Sequence, residues 1–262
     1  MRAVLKYPGA KNRIANWICS YIPKHNVYLE PYGGSLAVLL NKEPCHIETA
    51  NDLDNEVVNY FRVIRNDAEK LKKLIESTPY SRTEYERAYE IAEDEIERAR
   101  RFCVRCWMGF GCGNLYKNGF KSGQQSHSPN PAKAWAQLPE IIDMAAERLK
   151  NVQIECLPAL ELIKRYNTED VFMYIDPPYL HSTRKNYLYK YEMKDSEHEE
   201  LLKVLVAHPG KILLSGYENE MYKDYLSGWE KAYKSTNAEH GLSRTEVLWM
   251  NYDVKQGQMT LF

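Results

Sequence analysis

The chain has no stretch approaching the roughly 18 uninterrupted apolar residues of a membrane span, which excludes a transmembrane helix and leaves no membrane partner to expect. It has no bulk charge of either sign. Thirty-five Lys plus Arg stand against 36 Asp plus Glu, a formal net charge of -1, so only the distribution of charge can speak about a nucleic-acid partner. There is no secretory start, because Met1-Arg2-Ala3-Val4-Leu5 runs at once into Lys6 and Tyr7. The six cysteines (Cys19, Cys45, Cys103, Cys106, Cys112, Cys156) are therefore expected to be reduced thiols of a cytoplasmic protein. Cys103-x-x-Cys106 with Cys112 and His127 has soft ligands for zinc, but the fourth ligand is distant and a second Cys-x-x-Cys pair is missing. Buried thiols packed as small hydrophobes are the preferred reading, and no metal is expected. At 262 residues and 44% hydrophobic, the chain has enough apolar material for one large domain, or for a domain carrying a sizeable insertion.

What is present centres on Val171-Phe172-Met173-Tyr174-Ile175-Asp176-Pro177-Pro178-Tyr179. The apolar run reads as a strand buried on both faces. Proline disfavours the helical region for the residue before it and fixes its own φ, so Asp176 and Pro177 stand extended in a stiff loop at the strand's carboxyl end. Ligands bind there in open α/β sheets. A carboxylate and a proline carbonyl are both pure acceptors, suited to a group with two N–H bonds such as an exocyclic amine, with Tyr179 as a stacking face.

Earlier in the chain, Lys6-Tyr7-Pro8-Gly9-Ala10-Lys11 places an aromatic and a lysine around a Pro-Gly turn, ahead of an amphipathic helix over 13–21. The run 26–41 reads as a short strand, the turn Gly33-Gly34, a capping Ser35 and a helix, which is the first half of a nucleotide-type βαβ unit. It is not Gly-x-Gly-x-x-Gly, and no Lys-Ser/Thr follows, which argues against a dinucleotide or ATP. A second strand over 45–49 leads to Asn51-Asp52, and an acid about 20 residues past a glycine turn can accept from ribose hydroxyls. Together these point to an adenosine-containing ligand.

From Glu56 to about residue 101 the pattern is helical. Between Arg98 and Pro139 there is no Asp or Glu, while Arg98, Arg100, Arg101, Arg105, Lys117, Lys121 and Lys133 supply seven positive charges, as phosphate contacts require. Within this patch Asn118-Gly119 between flanking aromatics is a hairpin signal, and a ribbon bearing Tyr116, Lys117, Asn118 and Lys121 could enter a DNA groove. A helix over 138–149, a strand over 152–156, a basic aromatic loop with Arg184 and Lys185, a helix over 197–207 and strands over 211–217 and 245–252 complete the pattern.

With these residues in place, the chain resembles the Dam-like, D12-class DNA adenine-N6 methyltransferases, especially phage-borne members. The matching segments are ordered and nearly full length: Tyr7-Pro-Gly-Ala-Lys11, Glu30-Pro-Tyr-Gly-Gly34, Asn51-Asp52, Asp176-Pro-Pro-Tyr179, Ser215-Gly-Tyr-Glu and Glu246-Val-Leu-Trp-Met-Asn251-Tyr. The resemblance implies an α/β, Rossmann-like sheet in a discontinuous catalytic domain (1–62 and 150–262), with a mainly helical target-recognition insertion (63–149). It implies S-adenosylmethionine as cofactor, with Tyr7, Lys11, Glu30 and Gly33 around the methionine part, Asp52 on the ribose and Asp176 at the transfer point. It implies double-stranded DNA as partner, a bacterial or phage-infected cytoplasm as location, and a flipped adenine stacked on Tyr179. Its amine would give its hydrogens to Asp176 and the Pro177 carbonyl, with Pro178 stiffening the turn. The recognition segment is compact and cysteine-rich, so no target sequence is carried over. The tail Gln258-Met259-Thr260-Leu261-Phe262 resembles the short peptide that grips the bacterial sliding clamp, with Gln258, Leu261 and Phe262 as its contacts. The alternatives are an RNA or protein-amide methyltransferase, a class that more often has Asn in place of Asp176, and a DNA-binding module that has lost catalysis.

Overall fold

The computed structural model describes residues 1–112, 116–123, 129–183, 187–237 and 243–254. The apolar run at Val171–Ile175 is a strand at the middle of one seven-stranded sheet. In chain order the strands are β1 (Val27–Glu30), β2 (Ile47–Asn51), β3 (Val152–Glu155), β4 (Val171–Ile175), β5 (Lys211–Gly216), β6 (Glu230–Asn237) and β7 (Ser243–Met250). Their order across the sheet is β3-β2-β1-β4-β5-β7-β6. β1 to β5 are parallel, and β7 and β6 add an antiparallel pair at the far edge. The winding reverses between β1, which leads outward to β2, and β4, which leads outward to β5. That reversal opens a crevice between the carboxyl ends of the two strands.

The helices are α1 (Ala15–Cys19), α2 (Asn55–Ser77), α3 (Arg82–Arg87), α4 (Glu95–Met108), α5 (Pro131–Ala136), α6 (Leu138–Leu149), α7 (Ala159–Arg165), α8 (Asp195–Ala207) and α9 (Glu220–Tyr225). The two-residue period of a strand sorts β4 cleanly between two cores. Val171, Met173 and Ile175 pack with Leu162 of α7, Leu201 and Leu205 of α8 and Tyr222 of α9. Phe172 and Tyr174 face the other core, built on α1, α2, α4 and α6. The α2 helix starts where the Asp54 carboxylate accepts from the Glu56 N–H, and its apolar stripe (Val57, Tyr60, Phe61, Ile64, Leu71, Ile75) is buried. Among the described residues, no strand of the sheet lies between Asn51 and Val152. The expected boundary at 62–63 falls inside α2, which is interrupted only at Asp67, with φ -134° and ψ 33°. Among the described residues, no helix is long and apolar enough to cross a membrane.

Three expectations need correction. The segment after Gly33-Gly34 is not a regular helix but a chain of turns. Leu36 sits at φ 51°, and Leu39 gives its N–H to the Glu30 carboxylate at 3.0 Å instead of to a helical carbonyl. The first helix is only Ala15–Cys19, within the wider span expected. The acid-free basic stretch is not one-signed in space, because acids from upstream face it. Arg98 and Arg105 bind the two oxygens of Glu56 at 2.8 and 2.9 Å, and Arg100 binds Glu97 and Glu84. Arg101 binds Glu97 at 2.7 Å. A count along the chain could not see these partners, which come from α2, α3 and the start of α4.

Candidate active site

The period-2 rule aligns four polar side chains on the face that carries Tyr174. Glu30 ends β1, Asp176 follows β4, Ser215 lies on β5 and Glu246 on β7. Each continues a row of core residues: Tyr28, Phe172 and Tyr174, Leu213, and Leu248 with Met250. The loop before α1 brings Lys11 into this row, with its Nζ 2.9 Å from Asp176 Oδ1, 2.9 Å from the Gly9 carbonyl and 3.5 Å from Glu246 Oε1. Burial pushes the Asp176 carboxyl up to about 6, against the pull of the Lys11 charge. The two acids hold the lysine firmly protonated despite its burial.

Asp176 opens onto a cavity of about 240 Å³ at the β1/β4 crevice. Tyr7, Gly9, Lys11, Glu30, Gly33, Asp52, Asp176 and Pro178 all line it, so the cofactor-side residues expected from sequence share one wall system. Pro177 is buried beside it. Asp52 Oδ2 accepts from the Gly34 N–H at 2.8 Å and Oδ1 from the Asp54 N–H at 2.8 Å, while burial pushes its carboxyl up to about 6. The Leu53 N–H adds a third backbone donor, and with about four lone-pair sites on the carboxylate, acceptor capacity remains for a ligand. Glu30 is 2% exposed and accepts from the Tyr28 hydroxyl at 2.6 Å and the Leu39 N–H. Burial pushes it up to about 8, so it shapes the wall largely as a neutral acid at pH 7.

Gly33 shows why the turn needs glycine. Its N–H meets the Asn51 carbonyl at 2.7 Å, and a Cβ there would stand 2.8 Å from that same oxygen. A side chain would force the β1 and β2 ends apart. Gly33→Ala is expected to lower stability by about 1–3 kcal/mol and weaken ligand binding at the cavity, measured by thermal melting and isothermal titration.

Several contributors had weak sequence signals. The Asn51 amide joins three segments, donating to the Pro31 and Leu157 carbonyls and accepting from the Leu157 N–H. Tyr189, Tyr191, Glu192 and Met193 also line the cavity. Glu192 accepts from the Leu188 and Tyr189 N–H groups, and Lys190 reaches Asp54 at 3.3 Å, so this loop is strapped to the start of α2. Three tyrosines over 187–191 with Glu192 were the available clue, but loop aromatics read equally as surface.

A sequence profile described as D12 class N6 adenine-specific DNA methyltransferase matches residues 7–240. The chain belongs to this family. The seven-stranded fold is accordingly a Rossmann-like methyltransferase sheet. The chain is 26% identical over 254 residues to the type II methyltransferase M.MjaIII of Methanocaldococcus jannaschii, covering 84% of this chain and 85% of that protein. It is 24% identical over 280 residues to the type II methyltransferase M1.LlaDCHI of Lactococcus lactis subsp. cremoris, covering 96% of each. As a D12-class enzyme the protein is a site-specific DNA methyltransferase acting on N6 of adenine.

The other candidates are spread out. Tyr179 lies beside Asp176, with its ring edge-on to Tyr217 at a 4.7 Å centroid separation and its hydroxyl donating to the Glu246 carboxylate. Segments 108–110 and 119–121 pair, through Phe110 N–H to the Gly119 carbonyl and Lys121 N–H to the Met108 carbonyl. Gly119 therefore lies in the returning arm of this ribbon, not at its tip, which corrects the Asn-Gly turn expected there. Tyr116 is exposed, Lys117 Nζ lies 5.4 Å from the Tyr89 ring centroid, and the Asn118 carbonyl accepts from the Tyr85 hydroxyl at 2.7 Å. Arg105 is held by Glu56 and the Ala88 carbonyl, which leaves its guanidinium poorly placed for a phosphate. Cys103 and Cys106 are buried on α4, Cys103 beside the Tyr60 hydroxyl. Arg184, Lys185, His127 and the tail residues Gln258, Leu261 and Phe262 lie outside the described residues.

Proposed function

We propose that the enzyme takes its methyl group from S-adenosylmethionine, bound in the β1/β4 cavity, and delivers it to an adenine flipped out of double-stranded DNA. The observation that carries this reading is the opening of Asp176 onto the same cavity that Gly33 and Asp52 line. The cavity suits the cofactor in two ways. Its glycine turn excludes any Cβ, and the acids Asp52, Asp176, Glu197 and Glu200 line it, favouring a cationic ligand. Asp52 accepts from ribose hydroxyls, while Tyr7, Lys11, Glu30 and Gly33 frame the methionine part. When bound, the cofactor supplies an electrophilic methyl on a sulfonium.

The chain's own residues do the rest. The N6 lone pair of adenine is delocalised into the ring, and accepting its hydrogens on Asp176 and the Pro177 carbonyl favours the pyramidal, reactive amine. Tyr179 presents its ring to the flipped base, and the rigid Pro177-Pro178 turn holds both groups at the crevice. The helical region 63–149, with the ribbon bearing Tyr116, Lys117, Asn118 and Lys121, is assigned to target recognition. The loop containing Arg184 and Lys185 is assigned to the phosphate backbone.

A transfer assay with methyl-labelled cofactor tests the reading. Label in duplex DNA as N6-methyladenine supports it; label only in RNA or protein, or none anywhere, overturns it. The pH profile is a second check. Asp176 and Asp52 are both pushed up to about 6 by burial. A protonated Asp176 becomes a weaker acceptor and turns an O–H donor toward the pocket, so it no longer takes its share of the amine hydrogens. Transfer is therefore expected to be full above this value and to fall as pH drops through about 6, with kcat/KM measured across the acid range. A flat profile down to about pH 5 would remove Asp176 from its role.

A further inference from the structure

Glu246 is an acid where the sheet has every reason to place a hydrophobe. It lies two residues before Leu248 in the row that packs into the core, and it is 4% exposed. A buried carboxylate costs several kcal/mol unless paired and hydrogen-bonded, and a well-packed apolar residue would usually serve stability as well. Its partners surround the catalytic turn. Oε1 accepts from the Tyr179 hydroxyl and from Ser215 Oγ at 2.9 Å, and lies 3.5 Å from Lys11 Nζ. Ser215 Oγ is also 3.2 Å from the Tyr179 hydroxyl.

We propose that Glu246 is a positioning residue for the methyl transfer, fixing Tyr179 through its hydroxyl and sharing the Lys11 ammonium with Asp176. The inference rests on the proposed function above. One lysine stands between two carboxylates, so the orientation of the base-facing ring and the state of the amine-accepting acid are set by the same three-way contact. The groups facing Glu246 are Lys11 from the N-terminal loop, Tyr174 on β4, Asp176 and Tyr179 from the turn after β4, Ser215 on β5, and Lys234, its register partner on β6, whose Nζ lies over the Trp17 ring. The negative charge of Glu246 raises the Asp176 carboxyl, while Lys11 lowers it. Removing that charge alone moves Asp176 down.

The test is Glu246→Gln, which keeps shape and an acceptor oxygen. Expected are a fall in single-turnover transfer of about 10²-fold, as for a catalytic group displaced by an ångström, and cofactor affinity within about threefold of wild type. The acid limb of the rate profile is expected to move to lower pH. Tyr179→Phe, which removes only the hydroxyl, is expected to show a comparable loss. In thermal unfolding of the protein without cofactor, the double variant is expected to lose less than the sum of the two single variants. An unmoved acid limb, or strictly additive effects in both transfer and unfolding, would overturn the proposal. Should Glu246→Gln not fold, full activity in Tyr179→Phe would overturn it equally. Wild-type protein that labels no DNA would sink the underlying reading instead, which keeps the two failures apart.

Discussion

Asp176→Ala is expected to bind DNA with wild-type affinity and to transfer methyl groups at least about 10³-fold more slowly, the scale of losing a preorganised electrostatic contact at a reacting atom. The loss falls on transfer because the partners of the carboxylate in the fold, Lys11 and Tyr179, keep other contacts, with Tyr179 still donating to Glu246. Its one ion-pair partner among the described residues, Lys11, keeps the Gly9 carbonyl and Glu246 when Asp176 is gone. The desolvated carboxyl is moreover a cost to the folded state at neutral pH, since burial raises it to about 6. A folded value above the ordinary one means stability lost as pH rises through that interval, so removing the group relieves a strain. Melting near the wild-type temperature alongside abolished transfer is the expected pair of results. Asp176→Asn should fall between, since the amide retains one acceptor but points donors at an amine that is itself a donor. Wild-type transfer by Asp176→Ala would remove the carboxylate from the mechanism altogether.

Asp176 was readable from sequence because its signals are local. A two-sided apolar run, two prolines and an acid at the boundary are each short-range consequences of strand burial and ring geometry, and β4 with its turn follows them residue for residue. Asp52 was readable for the same reason, since βαβ spacing depends on chain length more than on partners. The segment after Gly33 was misread because its fate is decided by Glu30. A carboxyl oxygen on the preceding strand captures the Leu39 N–H, and no helical pattern in Leu36-Ala37-Val38-Leu39-Leu40 reveals that competitor. The arginines of α4 were misread in the same way. Their partner Glu56 lies 42 and 49 residues earlier, so charge counted along the chain mistook a neutralised helix packing for an open patch. Ser215 and Glu246 lay in recognised strand motifs, yet only the β5/β7 pairing brings them to the turn after β4.

Glu48→Ala is expected to destabilise the fold by about 3–5 kcal/mol, the usual cost of removing one partner of a buried charge group and leaving the others uncompensated. Glu48 on β2 is 2% exposed and is the shared anion of two cations: Lys42 at 2.5 Å and Arg148 of α6, at 2.5 and 2.8 Å to its two oxygens. These contacts hold its carboxyl below the ordinary carboxylate value against the opposing effect of burial. Stability from Glu48 is therefore present above that ordinary value and lost as pH falls through the depressed one, and the acid unfolding limb of Glu48→Ala should be shallower than that of wild type. The contact reaches the active site by two bonds. Arg148 also donates to the Leu39 carbonyl at 2.9 Å, while the N–H of that same residue is held by Glu30. Lys42 closes the series of turns that begins at Gly33. Loss of Glu48 thus loosens the segment behind the glycine turn, and cofactor affinity should fall together with the melting temperature. Denaturant unfolding and calorimetric titration on the same variant measure the two effects. A variant that loses stability while binding cofactor at wild-type strength would show that the turn is held by Glu30 alone.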